Sequence, residues 1–262
     1  MIIIFKIGDL VSRISHNNDV LFKIISISDN TAKLLGVNVR LQADSELNDL
    51  VISNNNENDR DIIERNVKDF NFDRANYFYL PGKILHIDGD EDYLDRSMKF
   101  YNSIGIKANG LCLKENEISL KINDLIKEYR PDIIVITGHD AYYKKKGNKD
   151  NISNYQNSGN FVKAIKEVRK LEKNQDKLII VAGACQSDYE ELIKAGANFA
   201  SSPKRINIHA LDPAIIASSI AFSDKNQSID IIKLIEKTKY GSDGIGGIIT
   251  NGTMYVGYPR WI

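Results

Sequence analysis

Asp132-Ile133-Ile134-Val135-Ile136-Thr137-Gly138-His139-Asp140 decides the fold of this chain, together with its echo Leu178-Ile179-Ile180-Val181-Ala182-Gly183-Ala184-Cys185-Gln186-Ser187. Each is a short run apolar at successive positions, stopped by glycine. Such a run shows neither the alternation of a half-buried strand nor the period of a helix. It marks a strand buried on both faces, as in a parallel sheet. The neighbouring sequence supplies the rest of that pattern. Short strands are predicted over Lys83–Ile87, Lys107–Leu113 and Asn198–Ala200. Helical periods fall between them, over Glu91–Ile104, Glu117–Tyr129, Phe161–Glu172 and Asp188–Ala195, with further helices over Leu211–Phe222 and Ile229–Lys239. Alternating strands and helices predict an α/β domain over 83–240, a parallel sheet with helices on both faces. The Gly-rich tail, 241–262, is predicted to form a hairpin that adds to an edge or packs on the first domain.

Phe5 to Val51 differs. Short β-rich runs are broken by Gly8-Asp9, His16-Asn17-Asn18-Asp19, Ser28-Asp29-Asn30 and Gly36. Strands so closely spaced predict a small SH3-like β-barrel over residues 1–52. It would serve either as a packing module or as a tether for a partner. Ser53 to Asp61 is polar and Asn-rich, the composition of a linker. Ile62–Phe72 is expected to form a short helix or strap, and 53–82 as a whole joins the two domains.

Composition narrows the function. Lys plus Arg and Asp plus Glu each number 35 in 262 residues, so the formal net charge is zero. That argues against general attraction to nucleic acid, which needs a basic excess. Two cysteines, Cys112 and Cys185, make no disulfide framework and point to a reducing compartment. The apolar opening Met1–Phe5 is too short for a signal peptide, and no stretch approaches the about 18–20 apolar residues of a membrane span. A soluble intracellular protein is expected. No CxxC, HExxH or phosphate-binding GxxxxGK[ST] occurs, so no metal or cofactor is expected.

In an open α/β sheet, ligands bind beyond the carboxyl ends of the strands. Those rims carry Asp88-Gly89-Asp90, Gly138-His139-Asp140, Gly183-Ala184-Cys185-Gln186-Ser187 and Ser201-Ser202-Pro203. His139 and Cys185 each follow an apolar strand and a small residue. On adjacent strands, about 4.8 Å apart, they could form a dyad. A free thiol is mostly protonated near neutrality. An imidazole beside it can take that proton and later protonate a leaving amine. Backbone N–H groups at Cys185 and in the Gly138 turn are the candidate oxyanion donors. A cysteine at a strand end is commonly just a small buried hydrophobe, and a histidine there a structural hydrogen-bonder. The weight lies in their joint occurrence. Cys112 and His86, within strands, are expected in the core. His209 could line the rim or belong to the start of the helix that follows it.

These strings resemble a known group. A His after one apolar block and a Cys after the next is the arrangement of caspase-like (clan CD) cysteine peptidases. Here 46 residues separate the two (185 − 139), against about 50 in caspases. HIDGDEDYL, YRPDIIVITGHD, AGACQS, KAGANFASSP and INIHALDP, with the opening KIGDLVSRIS and GVNVRLQADS, resemble the YabG family of sporulation-specific proteases from spore-forming bacteria over nearly the whole chain. The resemblance implies a caspase/flavodoxin-like fold. It also implies a cysteine endopeptidase that processes spore coat and related spore proteins, acting in the mother cell cytoplasm and forming spore coat. Cleavage after basic residues, chiefly Arg, is implied too. Cys185 would be the nucleophile and His139 the general base and acid. Substrate would meet Asp88, Asp90, Asp140, Gly138, Gly183, Gln186 and Ser201. Caspase-like enzymes that prefer Arg often carry an Asp two positions before the nucleophile, where this chain has Gly183. The acid must then come from elsewhere on the rim, with Asp88 and Asp90 best placed and Asp140 or Asp188 as further candidates.

Two other readings stay open. In a receiver-like signalling module, Asp88 and Asp90 would be the phosphoacceptor cluster, but the third strand ends in His139 rather than Asp. A non-catalytic spore-layer scaffold would use the barrel as its tether. Lys144–Lys149 and Lys204-Arg205 offer basic sites for self-cleavage.

Overall fold

A computed structural model describes residues 5–53, 61–62, 65 and 75–260. The chain divides into two compact units, residues 1–59 and 60–262. The Ser53–Asp61 linker and the strap expected over Ile62–Phe72 lie largely outside the described residues.

The first unit holds five antiparallel strands: β1 (Leu10–Arg13), β2 (Phe22–Ser28), β3 (Thr31–Gly36), β4 (Gln42–Glu46) and β5 (Leu50–Ile52), in the order β4-β3-β2-β1-β5. Alternation makes one face of each strand apolar, so Val11, Phe22, Ile24, Ala32, Leu34 and Leu50 form its core. The two edge strands are consecutive in sequence, joined only by the 3-10 turn Leu47–Asp49. A flat five-stranded sheet holds its edges about 19 Å apart, whereas the four Cα steps from Glu46 to Leu50 reach at most about 14 Å. The sheet must therefore curl. Among the described residues its edges share no hydrogen-bonded ladder, so this is a curled antiparallel sheet, not a barrel closed by hydrogen bonds.

The second unit contains β6 (Phe78–Leu80), β7 (Ile84–Asp88), α1 (Glu91–Ser103), β8 (Ala108–Cys112), α2 (Glu115–Tyr129), β9 (Ile133–Thr137), α3 (Ser158–Leu171), β10 (Ile179–Ala182), α4 (Tyr189–Ala195), β11 (Phe199–Ser201), α5 (Asp212–Ala221), α6 (Ile231–Ile235), β12 (Ile245–Gly247) and β13 (Tyr255–Gly257). The main sheet runs β8-β7-β9-β10-β11-β12, parallel except for β12, which pairs antiparallel with β11. The predicted parallel sheet is present as a mixed, mostly parallel one. The tail is not a hairpin. Its first strand extends the main sheet and its second, β13, pairs with β6.

Successive strand residues point to opposite faces. Ile84, Ile133, Val135, Ile179, Val181 and Phe199 pack with Phe100 and Tyr101 of α1 and with apolar residues of α5 and α6. Leu85, Ile87, Ile134, Ile136, Ile180 and Ala182 pack with α2, α3 and α4 through Ile118, Ile122, Phe161, Ile165 and Leu192. Helix starts are chemically marked. Asp90 caps α1 by accepting from Asp92 and Tyr93 N–H, and Asp188 caps α4 by accepting from Glu191 N–H. Strand order reverses direction at β7/β9, the point where open α/β sheets form a crevice at their carboxyl ends.

Candidate active site

The sheet register sets His139 and Cys185 side by side in the chain path. Ala182 of β10 pairs with Ile136 of β9. Each residue of the pair lies three positions before its functional side chain, so the two leave adjacent strands at the same level.

Their side chains are held by different neighbours. The His139 Nδ1 lies 3.8 Å from Glu115 Oε1 and its Nε2 lies 3.5 Å from Asp90 Oδ2. The ring also sits 5.9 Å, centroid to centroid, from Tyr93. Its backbone N–H donates to Glu115 Oε1 at 2.8 Å, and its carbonyl accepts from Asn157 Nδ2 at 2.8 Å. Cys185 is fully buried. Its Sγ accepts from Ile208 N–H at 3.3 Å and faces Ile208 O at 3.8 Å. No hydrogen bond joins the Cys185 thiol to the His139 ring in this arrangement. A catalytic contact of this kind can be long in the substrate-free state and tighten when substrate binds.

Asp140 ties the two rims together. It is buried, and its carboxylate accepts from Ala141 and Asn157 N–H and from the hydroxyls of Ser158 and Ser187. Burial pushes this carboxyl above the ordinary range, and the hydrogen bonds draw it back. Ser187 Oγ in turn accepts from Ala184 N–H. The hydroxyls thus brace the turn that carries Cys185. Asp88 is buried too, with Oδ1 accepting Asp90 N–H and Oδ2 3.6 Å from His86 Nε2. Asp90 and Gln186 are the partly exposed acid and amide of the rim. Gln186 spans two loops, accepting from Tyr142 N–H and donating to Asn207 Oδ1, while its own N–H is taken by Ile206 O. Ser201 is buried at the end of β11, and its hydroxyl has no hydrogen-bond partner.

Gly183 has φ of +100°, and a Cβ there would stand 2.8 Å from Leu192 Cδ1 and 3.3 Å from Ser201 Cβ. The missing acid before Cys185 therefore has a steric reason: a side chain there needs a strained backbone and a shift of Leu192.

Asp188 is buried and paired with Arg205 at 3.2 Å. Arg205 also binds Glu190, Tyr155 Oη and the carbonyls of Ser202 and Pro203. Among the expected self-cleavage sites, Lys144–Lys146 is exposed, whereas Arg205 is held in this network.

Glu115 was missed by the sequence reading. It follows β8 at the start of α2 and so obeys the strand-end rule, which was applied to the other strands but not to this one. Cys112 corrects another expectation. It is the last residue of β8 and is exposed, because the edge strand β8 is only half covered. His86 is buried as expected, 3.0 Å from Tyr101 Oη through Nδ1. Among the described residues, no group of three or more His, Cys, Asp or Glu is placed to hold a metal ion. Nor is any helix long and apolar enough to cross a membrane.

A mostly parallel α/β sheet carries acid, imidazole and thiol side chains on loops at its carboxyl end, and comparison with known proteins identifies a peptidase. A family model described as YabG peptidase U57 matches residues 6–69 and 54–259. The sporulation-specific protease YabG of Bacillus subtilis (strain 168) is 41% identical over 284 residues, covering 97% of this chain and 98% of that protein. The chain belongs to the YabG peptidase family.

Proposed function

We propose that this peptidase is a cysteine endopeptidase in which Cys185 attacks the scissile carbonyl and His139 handles the proton. The observation that carries the reading is the β9–β10 register, which launches both side chains from the same level of adjacent strands. His139 takes the Cys185 proton as the thiolate attacks, then gives it to the leaving amine. Water hydrolyses the acyl-enzyme with His139 as base. Because Cys185 is covered, substrate gains access when the Ile206–His209 segment moves away.

By the resemblance, spore coat and related spore proteins are the proposed substrates; processing during sporulation accords with the name of the Bacillus subtilis relative, a sporulation-specific protease. Arg is the proposed residue before the cut. Asp90 is the rim acid best placed to read it, being partly exposed and next to His139. Purified protein should cleave spore coat protein with new termini that vanish in Cys185→Ala and His139→Ala. Cleavage undiminished in Cys185→Ala refutes the mechanism. Equal cleavage of Arg and Ala reporter peptides by wild type refutes the specificity. An Arg preference retained in Asp90→Asn refutes the assignment of Asp90.

A further inference from the structure

We infer that Glu115 is a positioning residue for His139, bracing the turn that carries the ring and offsetting the imidazolium charge; this rests on the Cys185–His139 reading. The carboxylate lies where three rim segments meet. It occupies the space that side chains at Gly89 and Gly138 would need: a Cβ at those positions would stand 2.2 Å and 2.5 Å from Glu115 Oε1. Two neighbouring loops therefore leave room for this one group. Although Glu115 opens α2, that helix has no side-chain cap on its Lys114 N-cap. The carboxylate instead turns to the His139 N–H at 2.8 Å, with the same oxygen 3.8 Å from Nδ1.

Asp90 lies nearer to the ring than Glu115 and at the other nitrogen, so what Glu115 supplies is charge at Nδ1 rather than a choice of tautomer. Nε2 is buried and makes no hydrogen bond. When the thiol proton moves from Sγ to Nε2, the ring becomes cationic. Glu115 then faces one nitrogen and Asp90, 3.5 Å from the other, faces the second. Tyr93 packs beside the ring and Asn157 holds the His139 carbonyl, and neither brings a charge.

A substitution separates this role from a merely structural one. Glu115→Gln keeps a carbonyl oxygen to accept the His139 N–H but removes the charge. With an Arg reporter peptide, Glu115→Gln is expected to lower kcat by about tenfold or more with KM within about twofold, at an unchanged melting temperature, and to move the acid limb of the kcat pH profile. Glu115→Asp should recover part of the loss. A Glu115→Gln protein that keeps the wild-type kcat and pH profile overturns the inference. If Glu115→Gln fails to fold, Glu115→Asp decides, and a full wild-type kcat and pH profile there overturn it. Cleavage surviving in Cys185→Ala or in His139→Ala overturns instead the dyad beneath it.

Discussion

Restoring a side chain at Gly183 should unfold the site before it changes specificity. Consider Gly183→Ala, the smallest such change. The φ of +100° is outside the range that L-residues adopt freely, and holding a Cβ-bearing residue there costs about 1–3 kcal/mol. The new methyl would meet Leu192 Cδ1 at 2.8 Å. Leu192 is fully buried against the sheet, so it can yield only by repacking α4, which adds about 1–3 kcal/mol. The combined loss is about 2–6 kcal/mol, equivalent to roughly 4–24 °C in melting temperature for a domain of this size. Gly183→Asp should lose more, since its carboxylate would be lodged between Leu192 and Ser201. Thermal and urea denaturation of the full chain, followed by circular dichroism, measure the loss. A Gly183→Ala protein that melts within 2 °C of wild type would refute this account of the missing acid.

Three further outcomes follow from the site. Asp140→Ala leaves four donors, two of them buried, without their acceptor and should cost about 3–5 kcal/mol, read as a drop in urea midpoint; a loss below 1 kcal/mol would remove Asp140 from its bracing role. Arg205→Ala should cost about 2–3 kcal/mol at neutral pH, less than a fully buried pair because Glu190 is half exposed. Burial already raises the Asp188 carboxyl and Arg205 lowers it. A raised carboxyl binds its proton more tightly when folded, so stability falls as pH rises through the folded value. The deficit of Arg205→Ala should therefore shrink as pH is lowered towards the unfolded value, and a deficit independent of pH between 4 and 7 would count against it. Finally, alkylation should label exposed Cys112 before covered Cys185. Burial, with Asp88 and neighbouring carboxylates, pushes the Cys112 thiol above 9.0, so its labelling rate should still climb past that pH.

Much of this was legible in the sequence. The blocks Asp132–Thr137 and Lys177–Ala182 announced buried parallel strands because both faces had to be apolar, and β9 and β10 lie within them. The ends of α1 and α4 could be read from Asp90 and Asp188 as capping residues. The helix expected over Ile229–Lys239 is shorter, because Asp230 caps its start and the apolar residues end at Ile235, where α6 stops before Glu236-Lys237-Thr238-Lys239. Periodicity also could not divide the tail between two sheets, because β12 and β13 are both short and their partners are remote in sequence. At the site, strand ends located His139, Cys185 and the acids. Burial was not legible: nothing local tells that Asp88 and Asp140 are enclosed or that Ile208 lies on the thiol. The role of Glu115 depends on two glycines far from it in the chain.

The covering of Cys185 has a chemical consequence beyond access. A sulfur atom ready to become a thiolate is also the atom most easily lost to peroxide, which climbs from sulfenic to irreversible sulfinic acid by reaching the same lone pairs. With Sγ bonded to the Ile208 backbone and closed to solvent, oxidants reach it only in the moments when a polypeptide could. The proposed nucleophile is thus shielded at rest, and Cys112, although exposed, offers an oxidant little thiolate because its own thiol is pushed up.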